Sequence, residues 1–547
     1  MACWRRERTD AAPWTATVSH HPKIGPRFFV SALLALVGVA AVLSLPAPGL
    51  ARPGPAAGPS VGAAPHRPHF HVVVVDRFTA DDLRALSRRG AVGLLVPGVG
   101  SLTSRSNALA ALVRGTDLNP YLSARPVGRS LLDISHAQTV PAGAGLIVVA
   151  LPPSGPLRAN DRRYPIAILG GGFHGLLTSP TTRIAGLVSI VDVAPTALGR
   201  LRGSLGSVPS ANPVAQLTLL DGQIHANNRL KLPTLIIVAC VLLALAAVRS
   251  RGALPAVLAA LVTNLCAGAA QVSNEPLLVA MVIVGTIAGG LALTRLCATD
   301  RRLLAAILVV LFVYLAVLLV RPQWVAIAPL GPTQNSRFWG IGNQLETLLL
   351  APVVAGAALA ARRYGLAGFG AFSLLALVLV TDNHLGSDGG GAIVFGVALA
   401  FVGARVLKRG LRGFVTLLLL DGAVALGIVL LNLRLPGPDH LRSVFSHGLP
   451  GLLAVLENRV PLAYLPALHQ WPLLLPLAVL LVAAFVLTVR FSDRPARDLL
   501  LGAGLALATS LLLNDSGTYE LAGGVSVLAA LARFTMTTAP VTVGPRA

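Results

Sequence analysis

Four clusters of acidic, amide and basic side chains interrupt the apolar second half of this 547-residue chain. They are Asn335 with Arg337, Asn343 with Glu346, Asp382 with His384 and Asp388, and Asn514 with Asp515 and Glu520. Polar groups set among apolar runs are costly and tend to be functional. Glu346, Asp382 or Asp388 could act as a general base or metal ligand, and Arg337 and His384 could neutralise a phosphate. Asp382, His384 and Asp388 offer oxygen and imidazole donors of the kind that suit Mg, Mn or Zn, so a divalent metal is a possible cofactor. The Gly389-Gly390-Gly391 run that follows could cradle an anion through its backbone N–H groups. Asn343 and Glu346 are three apart and share a helix face. Counted from Gly340, Glu346 lies roughly 9 Å below the membrane boundary. A carboxylate there needs a partner or water, and Arg337 is the local candidate, beside an interfacial Phe338–Trp339 pair. The plain alternative is an Arg337–Glu346 ion pair that only fixes packing. Asn514 and Asp515 alone would be a helix-ending turn; they gain weight if the distant clusters meet.

The elements that carry these residues are apolar helices. The chain is 54% hydrophobic and 12% charged, against about 25% charged in a soluble protein. Eleven apolar runs follow residue 231: 232–248, 253–270, 276–294, 303–320, 340–361, 366–381, 389–407, 413–433, 471–489, 499–513 and 520–537. Alternate loops hold Arg249 and Arg251; Arg295, Arg301 and Arg302; Arg362 and Arg363; Lys408, Arg409 and Arg412; and Arg490, Arg494 and Arg497. The positive-inside rule puts that set in the cytoplasm and the polar clusters outside. The net charge of +22 is therefore a topology signal, and nucleic acid is excluded as a partner. Asp421 falls deep in its run, where an ion pair with Arg533 is the plain reading and proton relay the sharper one. The cysteines form no metal-ligand spacing; Cys240 and Cys266 are expected to fill space.

A basic leader (1–27) precedes an apolar run (28–45) that is read as a retained anchor, or alternatively as a cleaved signal. A linker rich in Pro, Gly and Ala (46–68) leads to a module at 69–228, where short β-branched runs alternate with helical stretches. Val72–Asp76, Leu146–Ala150 and Tyr164–Leu169 are expected to be buried parallel strands of an open α/β sheet. His174, after three glycines, is read as an exposed loop residue. The helical membrane domain spans 229–540, with a cytoplasmic tail at 541–547. The fold expected is thus a polytopic α-helical membrane protein of about 12 transmembrane helices with an inserted extracytoplasmic α/β domain.

Val73–Asp76 with Asp81, Ser104-Arg105-Ser106-Asn107 followed by Leu112–Gly115, and Thr178–Arg183 with Asp192-Val193-Ala194-Pro195-Thr196 together resemble the alkaline phosphatase superfamily. That resemblance implies a metal-binding role for Asp76 and a nucleophile at Ser104. Active members have an Asp-His pair after a middle strand. Here Leu146–Ala150 runs instead into Leu151-Pro152-Pro153-Ser154-Gly155, so the module reads as a degenerate, inactive phosphatase-like domain serving binding or assembly. The membrane half resembles uncharacterised bacterial polytopic proteins fused to such a module, with shared "R-F/Y-x-G-x-G-N" and "N-D-S-G" patterns.

The candidate site is therefore Arg337, Asn343, Glu346, Asp382, His384, Asp388, Asn514 and Asp515, opening outward. The expected function is that of a cell-envelope membrane protein handling or modifying a lipid-linked or phosphate-bearing substrate, as a transferase or hydrolase at the outer leaflet. A transporter or flippase, and a non-catalytic scaffold with a pseudo-phosphatase domain, are the alternatives. Expected partners are membrane lipids and other envelope proteins, the latter through residues 69–228. The loop 434–470, with His440, His447 and His469, is read as an amphipathic segment on the outer leaflet.

Overall fold

The computed structural model describes residues 69–98, 102–115, 143–200, 203–248, 252–332, 338–382, 384–386, 389–434, 471–491, 494–514 and 517–537, all within one compact unit. The leader, the apolar run 28–45, the linker, the tail, residues 435–470 and the side chain of Arg533 lie outside this set, as do Asn335, Arg337, Asp388 and Asp515.

The chain builds an α/β module and a helical bundle. The module runs β1 (Phe70–Val75), α1 (Ala80–Ser87), β2 (Gly90–Val96), β3 (Leu102–Thr103), α2 (Arg105–Arg114), β4 (Gly145–Ala150), β5 (Arg158–Ala159), β6 (Tyr164–Leu169), β7 (Gly175–Thr178), β8 (Leu187–Ser189), a short α3 (Val193–Ala197) and β9 (Gly206–Val208). The main sheet has the order β1-β4-β6-β2-β7-β9, with β8 also paired to β2. β1 and β4 are parallel as expected, but β6 is antiparallel to both β4 and β2, so the sheet is mixed. Apolar runs buried on both faces read alike in either direction, and only the connections set polarity. The helix starts were marked in the sequence: Thr79 and Asp82 form a capping box, and Ser104 caps α2, which ends on left-handed Gly115.

The bundle begins with α4 (Pro213–Ala247), capped by Asn212 and started by Pro213. The boundary read at 228 falls inside this helix, whose first half belongs to the module: Leu217 and Ile224 share a core with Val92, Leu94 and Leu187. After it come α5 (Ala253–Ala269), α6 (Glu275–Leu296), α7 (Asp300–Val320), α8 (Pro322–Ala326), α9 (Asn343–Thr381), α10 (Gly389–Val406), α11 (Gly410–Arg434), α12 (Trp471–Phe491), α13 (Arg494–Leu513) and α14 (Gly517–Thr537). α9 is two helices broken at Gly365, whose φ of 64° an L side chain rarely adopts. Six helices, α4, α6, α7, α9, α10 and α11, are long and apolar enough to cross a membrane; α5 and part of α14 are shorter apolar stretches. α14 packs against α4, α5, α9, α12 and α13, and every residue from Glu520 to Ala532 is buried. Cys240, expected to fill space, is exposed on its helix.

Candidate functional site

The bundle carries the module at one end, and the described members of the polar clusters gather there. The first contact is a dock. Phe338 and Trp339, expected at a membrane–water interface, are buried instead among Leu94, Leu176 and Leu187 of the sheet and Ala326 and Ile327 after α7. The Trp339 indole Nε1 donates to the Thr181 carbonyl at 3.1 Å. The Arg183 guanidinium stacks over the same ring, 3.6 Å from its centroid. Buried Tyr and Trp need such a partner for their polar atom, and here the partner belongs to the module.

The loop that meets Trp339 is fixed by one buried acid. Asp192 accepts from the Ser179 hydroxyl, from Thr181 Oγ1 at 2.8 Å and from the Thr181 backbone N–H at 3.3 Å. Burial pushes the Asp192 carboxyl up to about 6, while these hydrogen bonds act the other way. Arg183 itself stands in the left-handed region, φ 57°, a conformation that costs a non-glycine residue about 1 kcal/mol or more.

From Trp339 the chain continues as an extended segment beside the turn after α9. Ile341 N–H donates to the Gly386 carbonyl at 2.8 Å, and a Cβ on Gly340 (φ 90°) would lie 2.2 Å from that same oxygen. Two of the clusters are thereby laid side by side. Asp382 opens the turn, accepting from the His384 backbone N–H at 2.8 Å, with His384 Nδ1 at 3.6 Å from its carboxylate. Asp382 is mostly buried and His384 is exposed.

Gly340 and Gly342 are not helical, so α9 starts at Asn343 and Glu346 stands in its first turn. By helical rise it is only about 4.5 Å along the axis from Asn343, shallower than a helix beginning at Gly340 would put it. Glu346 is fully buried, its position near a helix N-terminus favours negative charge, and its backbone N–H donates to Gly342. One partner of its carboxylate is Asn514, whose Nδ2 lies 3.4 Å from Oε2 and 2.9 Å from Ser510 Oγ. Arg337, the partner expected from sequence, lies outside the described residues. Asn514 follows the last residue of α13, Glu520 stands in the first turn of α14, and Gly523 meets Thr347 one residue beyond Glu346, so a third element joins the cluster. Asn343 is half-buried, and its carbonyl accepts from Thr347.

The metal set expected of Asp382, His384 and Asp388 has only its first two members among the described residues. Within those residues no group of three His, Cys, Asp or Glu side chains is placed to hold a metal. In the module, Asp76 is exposed and bonded to Arg105 at 2.6 Å, while Ser104 is the α2 cap and lies 2.9 Å from Ser106 Oγ. Arg105 thus brings the Asp76 and Ser104 segments together, and local partners account for both residues. His174 is an exposed loop residue, its Nδ1 near the Gly172 carbonyl. Asp421 is buried beside Gly396 of α10, and its Oδ2 has no hydrogen-bond partner among the described residues. Two cavities lie away from the cluster: about 460 Å³ between α5 and α6 at Cys266 and Met281, and about 240 Å³ beside Gly172 and Ser207 in the module.

Sequence reasoning missed three features. Gln223, Asn227, Lys231 and Thr234 form a buried polar stripe on α4, with Asn227 donating to the Ile327 carbonyl. Their helical spacing was a usable signal, but an apolar run that starts at 232 hides it. Arg183 and the Trp339 dock had no sequence signal, because the bonded residues Thr181 and Trp339 are 158 positions apart. Comparison of the chain with protein-family models, with curated proteins and with solved structures gave no match.

Proposed function

We propose that this is a multi-pass plasma-membrane protein of the bacterial envelope, with about 12 spans, that handles a lipid-linked or phosphate-bearing substrate at the outer leaflet. The arginine distribution in the loops supports an outward-facing module and a cytoplasmic N-terminus. The carrying observation is the meeting of Glu346 with Asn514, and of the Gly340–Ile341 segment with the Asp382–Gly386 turn, beneath the module. Buried carboxylates and amides drawn from three distant segments suit recognition of sugar hydroxyls and activation of a nucleophile. Asp382 and His384 form the accessible rim. The phosphatase-like module acts by binding; Asp76 and Ser104 perform no chemistry in this reading.

Transport is a second reading, favoured by one observation. Buried polar groups continue into the bundle at Lys231 and Thr234 of α4 and Ser526 of the adjoining α14, as a translocation path requires.

The test is complementation of a strain lacking the protein by Glu346→Ala, Asp382→Ala and Asn514→Ala, scoring detergent sensitivity alongside membrane abundance. Loss of complementation at normal abundance supports the site. Full complementation by all of them at normal abundance overturns it, and a fall in abundance that tracks the loss assigns these residues to packing.

A further inference from the structure

The guanidinium of Arg183 is a cation that stacks on an indole and, among the described residues, makes no hydrogen bond. It is half-buried against Trp339, and among the described residues no ion pair within 4.0 Å or side-chain hydrogen bond includes it. An arginine carries five N–H donors in a planar fork, and burial without acceptors is unfavourable. Burial lowers its pKa to about 10, with the Asp382 carboxylate opposing, so it stays charged at neutral pH. Asp382 thus sustains the charge without filling the fork.

Three further features show that this placement is built. Arg183 holds a left-handed backbone. The Asp192 carboxylate fixes the loop on which it stands. Trp339 is anchored through Thr181, two residues away, so that ring and guanidinium share one frame. A guanidinium stacked on one face keeps its donor edge available for a bidentate oxyanion.

We propose that the module completes the membrane site by supplying Arg183 as its oxyanion-binding residue, and that the group it takes is the phosphate of a phosphate-monoester lipid. This rests on the reading of the site given above and names the chemistry of its substrate. It also gives the module a function independent of Asp76 and Ser104: it brings a fixed positive charge over a cluster rich in carboxylates and amides.

The test is calorimetric titration of the full-length protein in detergent with dihexanoyl phosphatidic acid, dihexanoyl phosphatidylcholine and inorganic phosphate. Wild-type protein is expected to bind the phosphatidic acid about tenfold more tightly than the phosphatidylcholine, which has the same chains. Arg183→Gln should lose that preference, and Arg183→Lys, which keeps the charge but not the planar fork, should fall between. Asp76→Ala should bind as wild type does. If inorganic phosphate binds as tightly as the lipid and is lost in Arg183→Gln, the oxyanion role stands but the lipid assignment falls. If Arg183→Gln and Arg183→Lys both keep wild-type affinity and preference, the proposal is overturned while the membrane site survives. If wild-type protein binds none of the probes, the Arg183 proposal falls, while the membrane site is judged by the complementation test. A drop in melting temperature with unchanged affinity would make Arg183 a docking residue only, which also overturns the proposal.

Discussion

The two polar regions of this molecule use similar residue types and differ in where their partners come from. At the sheet edge, Ser104 is satisfied three residues away and Asp76 finds Arg105 at a separation of 29. Under the module, Asn514 reaches Glu346 across 168 residues and Trp339 reaches Thr181 across 158. A local partner suffices to explain the cap, and an exposed ion pair across 29 residues asks little of the packing around it. Long-range partners must be bought with loop-closure entropy, which grows with separation, and they hold only where packing supports them. A motif that resembles an active centre can therefore be structurally ordinary, while an unremarkable Asn at a helix end belongs to the convergent cluster.

The sharpest way to break this contrast is to remove the dock. Trp339→Ala should cost about 3–5 kcal/mol as a large-to-small core change, read as a lower melting temperature and faster proteolysis within residues 69–212. Wild-type protease resistance would mean that the module is held by α4 alone. Next comes the buried pair. Asn514→Leu removes a hydrogen-bond donor from beside the buried Glu346 carboxylate and should cost roughly 1–3 kcal/mol, while Glu346→Gln together with Asn514→Leu should recover part of that loss. Independent, additive losses in a double-mutant cycle would show that the two do not interact.

Asp192 supplies a pH test. Its folded pKa, about 6, lies above the ordinary aspartate value because burial disfavours the charged form. The folded state therefore holds a proton that the unfolded state releases near pH 4, and its contribution to stability is largest below that pH and falls as pH rises toward 6. Thermal melts of wild type should show this decline, and Asp192→Asn should flatten it. An Asp192→Asn variant that keeps the wild-type slope would assign the decline to other groups. The smallest effects are expected at Asp76 and Ser104. Asp76→Ala should change stability by no more than about 1 kcal/mol, since the pair is exposed. Ser104→Ala should lose about 0.5–2 kcal/mol as an N-cap, with complementation intact. Loss of complementation by a folded Ser104→Ala protein would reverse the comparison.

Much of this architecture was legible in the chain. Each of the eleven apolar runs after residue 231 carries a helix, though the run at 340–361 becomes helical only at Asn343; Thr79, Ser104, Asn212, Asn274 and Thr299 cap helices as their side chains allow, and β1 and β4 are strands. Convergence of the clusters could be expected from their shared end of the runs, and Asn514 with Glu346 bears on that directly. What the sequence withheld has physical causes. Strand polarity of Tyr164–Leu169 depends on connections rather than composition. Phe338 and Trp339 have the amphipathic character of membrane-interface residues, yet a second apolar surface was available to cover them. The helix start slipped to Asn343 because Gly340 takes φ 90° against Gly386, a contact no local pattern encodes. Lys231 fell one residue before the apolar run that starts at 232, although one continuous helix, α4, carries both.

That crossing makes α4 a lever. Its outer arm, from Leu217 to Asn227, is about 15 Å long, and the inner arm from Asn227 to Lys231 about 6 Å, at 1.5 Å per residue. Asn227, tied to the Ile327 carbonyl, is the natural fulcrum. A tilt of the sheet about that point would move the Lys231 end by roughly two-fifths as much, in the opposite sense.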